Sequence, residues 1–198
     1  MPIEIVTICG SVRPGNYTAK ALALVVDELR KDAKVKVVEV DLASIDLPVP
    51  GRPAQDSSAE RFREKVKNAT ALVIATPEYH GSFSSVVKLA IENLGFPSVL
   101  AGKPVALLGV AAGRIGAIKS LEHLRSVCSH VGAIVLPNLV SVAGVQGLFD
   151  EKGQCLDAGM EQYIRGLGAT LLHYVEGAIC PKVTLEAMMR SEGQKSVA

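Results

Sequence analysis

The sequence predicts an α/β fold in which a parallel sheet is covered by helices on both faces. Three observations carry this. Short β-branched or apolar runs alternate with segments of helical periodicity five times along the chain. Three of the runs are apolar throughout, the pattern of strands buried on both sides. No internal repeat or linker divides the 198 residues, a length that suits one α/β domain.

Ile3 to Cys9 reads IEIVTIC, a β-branched run that Gly10-Ser11 stops. From Thr18 to Lys31, Ala21, Leu22, Val25, Val26 and Leu29 recur at helical spacing. Val35 to Val40, VKVVEV, is a strand with partial alternation. Asp41 to Pro53 holds three prolines and Gly51, so it is a loop. Ser57 and Glu60 have the S-x-x-E spacing of a capping box, and Phe62 and Val66 continue that helix. Ala71 to Ala75, ALVIA, is the first wholly apolar strand. Ser84 to Leu94 is a helix with Gly95 as its stop. Pro104 to Val110 is a strand, Ile115 to His130 a helix, and Ala133 to Leu136 a fifth strand closed by Pro137. Met160 to Val175 is the last helix. The single domain therefore spans 1–180, and 181–198 is a polar tail that is mobile or used in subunit contacts.

Composition narrows the function. Lys plus Arg is 21 and Asp plus Glu is 20, so the net charge of +1 offers no field for duplex DNA and no polybasic membrane patch. Trp is absent and only four Phe and four Tyr are present, which speaks against a stacking platform for single strands. Cys9, Cys128, Cys155 and Cys180 are far apart in sequence, so no CxxC or zinc-type cluster exists. MPIEIVTICG carries Glu4 and no basic lead, unlike a signal peptide. A cytoplasmic protein is expected. The run from Arg125 to Asp150 has no formal charge between its ends, and Pro137, Asn138 and Gln146 interrupt it. It reads as a buried strand and loop rather than a membrane span.

In open sheets of this kind, ligands bind beyond the strand C-termini, where strand order reverses. The first such loop runs from Gly10 to Thr18. It leads into a helix N-terminus, a natural anion site. Ser11, Asn16 and Thr18 add short polar side chains and Arg13 adds a bidentate cation, a set that suits a phosphate monoester. Neither a P-loop nor G-x-G-x-x-G is present. The second loop, Thr76 to Ser84, has Pro77 and Gly81 bracketing Tyr79 and His80, planar groups suited to a flat ligand. On composition alone, a capped loop with a solvent-facing aromatic fits it equally well. The third, Ala111 to Gly116, is small and glycine-rich, and small residues admit close backbone approach.

The segment TPEYHGSFSSVVKLAIENL resembles the flavin-binding stretch of the NAD(P)H-dependent FMN reductase family, which includes azo-, quinone and chromate reductases. The family pattern T-P-E-Y-N-G-S stands here as Thr76, Pro77, Glu78, Tyr79, His80, Gly81 and Ser82, with His80 in place of a common Asn. The family's G-S-x-R-x-x-S-x-N loop is matched by Gly10, Ser11 and Arg13, with Asn16 and Thr18 where Ser and Asn are usual. The resemblance runs from about Ile3 to Pro137. It implies a flavodoxin-like three-layer α/β/α sandwich, with a five-stranded parallel sheet in the order 2-1-3-4-5. It implies FMN as cofactor, NAD(P)H as co-substrate, a small-molecule electron acceptor and a homodimer or homotetramer. The implied cofactor-binding residues are Ser11, Arg13, Asn16, Tyr17, Thr18, Pro77, Glu78, Tyr79, His80, Gly81 and Gly113. No catalytic side chain and no metal ligand is implied, because the flavin carries the chemistry. Arg114 reads as a solvated surface arginine, and Cys9 as a buried small hydrophobe. Two other functions share the fold, an electron-carrier flavodoxin and an α/β binding module without flavin. The near-neutral charge speaks against the first.

Overall fold

The computed structural model describes residues 3–195. The strands are β1 (Ile3–Cys9), β2 (Val35–Asp41), β3 (Ala71–Tyr79), β4 (Ser82–Phe83), β5 (Pro104–Val110), β6 (Ile134–Val135) and β7 (Val140–Val142). The α-helices are α1 (Tyr17–Leu29), α2 (Ser58–Asn68), α3 (Ser85–Glu92), α4 (Ile118–His130), α5 (Ala158–Tyr174) and α6 (Cys180–Lys195). The sheet order is β2-β1-β3-β5-β6, parallel throughout, which is the expected permutation once the short β4 hairpin is set aside.

Strand alternation divides the core into two layers. Ile5, Val73, Ala106 and Leu108 face α1 and α5, where Val25, Ile164 and Leu171 meet them. Val6, Ile74, Val105 and Leu107 face the opposite way, onto Phe62, Val66, Val87, Ile91, Leu121 and Leu124 of α2, α3 and α4. Successive side chains thus feed both layers, so the central strands are apolar at nearly every position. β1 and β3 are neighbours whose connections leave in opposite directions across the sheet, and the crevice at that reversal lies above their C-terminal ends.

Three sequence expectations are corrected. The fifth strand is not one run from Ala133 to Leu136. It is two short pieces, β6 pairing Pro104 and Val105, and β7 pairing Leu108 to Val110. Pro137 has no N–H to donate, so the chain leaves the ladder there and rejoins it at Val140. With the β3–β4 hairpin, the strand count among the described residues rises to seven. Ser57 and Glu60 do not form a capping box. Ser57 has ψ 13°, outside the extended region, and its side chain makes no cap bond. Asp56 Oδ1 instead accepts from the Ser58 N–H at 2.6 Å, and the Ser57 hydroxyl receives Arg61.

The last expected helix continues past its predicted end. A π-helical turn, Val175–Ile179, joins α5 to α6. Pro181 lacks an N–H, and its ring crowds the carbonyl four residues back, so a wider turn ahead of it lets the helix run on. The expected tail from 181 therefore begins as helix, and residues 196–198 lie outside the described residues. Among the described residues, no helix is long and apolar enough to cross a membrane.

Candidate functional site

The loops after β1, β3 and β5 enclose a cleft of about 350 Å³, within the range of small-molecule sites. Its lining includes Ser11, Arg13, Asn16, Tyr17 and Thr18 from the first loop and Pro77, Glu78 and Tyr79 from the second. His80, Gly81 and Gly113 are not part of this wall. Ala111 and Ala112 of the third loop are, and so are Val110, Val145 and Gln146, which the sequence does not mark. Val145 and Gln146 reach the cleft because β7 pairs with β5. The ladder carries on through Ala111 N–H to Val142 O at 2.9 Å and Val145 N–H to Ala111 O at 3.1 Å. A larger hollow, about 660 Å³, lies between Pro137–Val140 and α5. Its lining has no charged residue and no buried polar side-chain atom without a partner.

The first loop is internally braced yet leaves donors free. Asn16 is the N-cap of α1, its Oδ1 accepting from Ala19 N–H at 2.8 Å. Its Nδ2 donates to Arg13 O at 2.8 Å and to Ser11 O at 3.4 Å. The Asn16 side chain is thus fully engaged in shaping the loop. The N–H groups of Tyr17 and Thr18, at the first turn of α1, have no acceptor among the described residues. Ser11 is 2% exposed, and its hydroxyl has no partner. Thr7 holds the other orphan hydroxyl among the described residues, but it lies inside β1, away from the cleft. Arg13 lies with its guanidinium carbon 4.7 Å from the centre of the Tyr79 ring, and its N–H groups meet no acceptor among the described residues. A buried hydroxyl without a partner costs about 1–3 kcal/mol. In a cleft that also holds the free N–H groups at the head of α1 and an uncompensated arginine, that defect is what an oxyanion would repair.

The second loop is satisfied almost throughout. Thr76 Oγ1 donates to Pro77 O at 3.0 Å and accepts from Ser84 N–H at 3.1 Å. The Ser84 hydroxyl caps α3 and donates to Gly10 O at 2.6 Å, tying β1 to α3. Gly10 sits so close to its neighbours that a Cβ there would lie 2.2 Å from Val87 Cγ2 and 2.5 Å from Ala75 O. His80 and Gly81, with φ of 50° and 74°, form the two-residue turn of the β3–β4 hairpin. Two positive φ values in a two-residue hairpin loop define a type I′ turn, for which Asn-Gly is the preferred pair. This accounts for Asn at the family position, and His is among the few other side chains that tolerate such a conformation.

Glu78 lines the cleft and also reaches α4. Its Oε2 accepts from Ser120 N–H at 3.1 Å, and Ser141 Oγ accepts from Ala117 N–H at 2.9 Å. Ala117 itself supplies no cap, so residues of β3 and β7 cap α4 from outside and fix it beside the hairpin. Ser82 and His123 complete that seam with a 3.1 Å contact from Oγ to Nδ1. Burial pushes the Cys9 thiol up, and pushes Cys128 up to about 12, so both stay protonated near neutrality.

A family model described as NADPH-dependent FMN reductase matches residues 3–147. An NAD(P)H-dependent FMN reductase from Pseudomonas aeruginosa is 33% identical over 170 residues, covering 82% of this chain and 90% of that protein. A quinone reductase from Escherichia coli is 30% identical over 174 residues, covering 83% and 90%. Among solved structures, a flavoenzyme NAD(P)H:(acceptor) oxidoreductase from Paracoccus denitrificans superposes with a TM-score of 0.71 at 21% identity, covering 88% of this chain and 98% of that one.

Proposed function

The chain belongs to the NADPH-dependent FMN reductase family, and from that premise we propose how it holds its flavin and what it reduces. It is an oxidoreductase with FMN as cofactor. The observation that carries the site assignment is the buried Ser11 hydroxyl, without a partner among the described residues, in a cleft also lined by Tyr17 and Thr18 with their free N–H groups and by the uncompensated Arg13. These groups fit a phosphate monoester. They receive the FMN phosphate, while Asn16 keeps the loop in shape. Pro77, Tyr79, Ala111 and Ala112 wall the space beyond. The hairpin backbone at His80 and Gly81, and the turn at Gly113, form the rim against which the ring system sits.

The chemistry FMN supplies is two-electron transfer, hydride in from NAD(P)H and electrons out to a small acceptor, in ping-pong order. Free flavin, a quinone, an azo compound or a metal oxyanion are the acceptor classes. The protein's part is to bind, orient and shield. Cys9 and Cys128 are held as thiols, and Glu78 is occupied at α4. No side chain of the cleft is assigned proton transfer.

A second copy completes the assembly as a homodimer or homotetramer. Leu136, Val140, Val142, Val145 and Phe149, from the uncharged run, are buried within the chain itself. Ile115 and Ile118 at the head of α4 are exposed, at 79% and 47%, and supply apolar surface for a partner. The folded domain is assigned to 1–180 with the remainder an appendage, and the location to the cytoplasm. Light scattering at micromolar concentration should show more than a monomer, and a monomer refutes the assembly.

The function itself is tested by colour and turnover. Purified protein should take up FMN with absorbance near about 450 nm and oxidise NADH or NADPH when an acceptor from one of these classes is added. A protein that binds no FMN overturns the reading. One that binds FMN but oxidises neither dinucleotide is an electron carrier instead.

A further inference from the structure

Arg13 is exposed and sits on a loop, where a long side chain ordinarily samples many rotamers and loses up to about 2 kcal/mol of entropy when fixed. Here its guanidinium lies over the Tyr79 ring, reaching from the first loop to the second across the cleft. The ring's negative face attracts the cation. A guanidinium held by its face keeps the N–H donors on its edge available to an oxyanion. None of those donors meets a protein acceptor among the described residues, and the buried Ser11 hydroxyl lines the same cleft without a partner. The ring face that Arg13 covers is closed to a flat ligand while the pair persists.

The geometry points to Tyr79 as a positioning residue: its ring fixes the Arg13 guanidinium for the ligand's phosphate rather than stacking on the isoalloxazine. This rests on the phosphate reading of the cleft, and it separates two functions that the same ring would otherwise combine. A ring that stacks on the flavin contributes equally to FMN and to riboflavin, which lacks the phosphate. A ring that positions Arg13 contributes to FMN alone. The Tyr79 hydroxyl has no part in this.

The test is the ratio of riboflavin to FMN dissociation constants, measured by flavin fluorescence on flavin-free protein. The parent should prefer FMN. Tyr79→Leu should lower that preference about three- to ten-fold, the range a cation–π contact provides, with riboflavin binding little changed. Tyr79→Phe keeps the π face and should hold the ratio within about twofold. In an Arg13→Ala background, Tyr79→Leu should leave the ratio where Arg13→Ala put it. Tyr79→Gln, also ringless, serves if the leucine variant does not fold. Equal losses for FMN and riboflavin in the ringless variants overturn the inference. A parent that binds the two flavins equally overturns the phosphate reading first, and this inference with it.

Discussion

The loops after β1 and β3 stand side by side at one end of the sheet, and they handle their polar groups in opposite ways. In the second loop nearly every group is engaged. Thr76, Ser84, Glu78 and Ser82 bond to Pro77, Gly10, Ser120 and His123 in turn. In the first, Asn16 braces the loop beyond Gly10, while the Ser11 hydroxyl, the Arg13 guanidinium and the amides of Tyr17 and Thr18 are left over. A native fold normally pairs its buried polar groups. A loop that does so is scaffold. A loop that does not, at a helix N-terminus in a cleft, is a receptor whose missing partner is the ligand. Substitutions in the two loops should therefore affect different observables, one the stability of the protein and the other its affinity for FMN.

Gly10→Ala should have the largest effect on stability. Its Cβ would fall on Val87 Cγ2 and the Ala75 carbonyl, and backbone cannot give way cheaply. We expect a loss of about 3 kcal/mol in urea unfolding of the flavin-free protein, the upper end for overpacking. A loss below about 1 kcal/mol would mean that β1 and α3 are more loosely joined than described.

Arg13→Ala should act on binding instead. Removing a charge-assisted contact worth about 1.5–3 kcal/mol weakens FMN roughly 10- to 150-fold. Riboflavin affinity and flavin-free stability should barely move. If titration shows FMN held as tightly as before, the receptor is misplaced.

Ser84→Ala should behave as scaffold. It removes the cap of α3 and the bond to Gly10 O, a loss of about 1–2 kcal/mol seen equally with and without FMN. A variant that lost FMN affinity but no stability would blur the contrast between the loops. The smallest effect belongs to His80→Asn. Asn is better suited to the positive φ of the hairpin turn, so a thermal melt should show a gain of less than about 1 kcal/mol. A loss there would give the imidazole a role beyond the turn.

Much of this was legible in the sequence, for reasons that particular residues make plain. ALVIA and PVALLGV announce doubly covered strands because every position is needed by one core layer or the other. The two binding loops are legible because each directly follows such a strand. What was not legible depends on contacts across the fold. Val145 and Gln146 join the cleft only through the pairing of β7 with β5, and nothing local marks them. Glu78 lines the cleft as its motif suggests, but the bond from the Ser120 N–H to its carboxylate was not legible, because the sequence does not encode the approach of α4 locally. Pro137 signals a break but not that the chain returns to the same ladder.

Chemical denaturation of Ser11→Ala, with and without saturating FMN, tests the account most directly. The hydroxyl is a cost to the flavin-free protein and a contact in the complex. Without FMN the variant should be as stable as the parent or up to about 1 kcal/mol more stable. The stabilisation that FMN adds should shrink, because that increment grows with affinity. If the flavin-free variant is less stable and the FMN increment is unchanged, Ser11 is scaffold, and the phosphate receptor does not lie in the first loop.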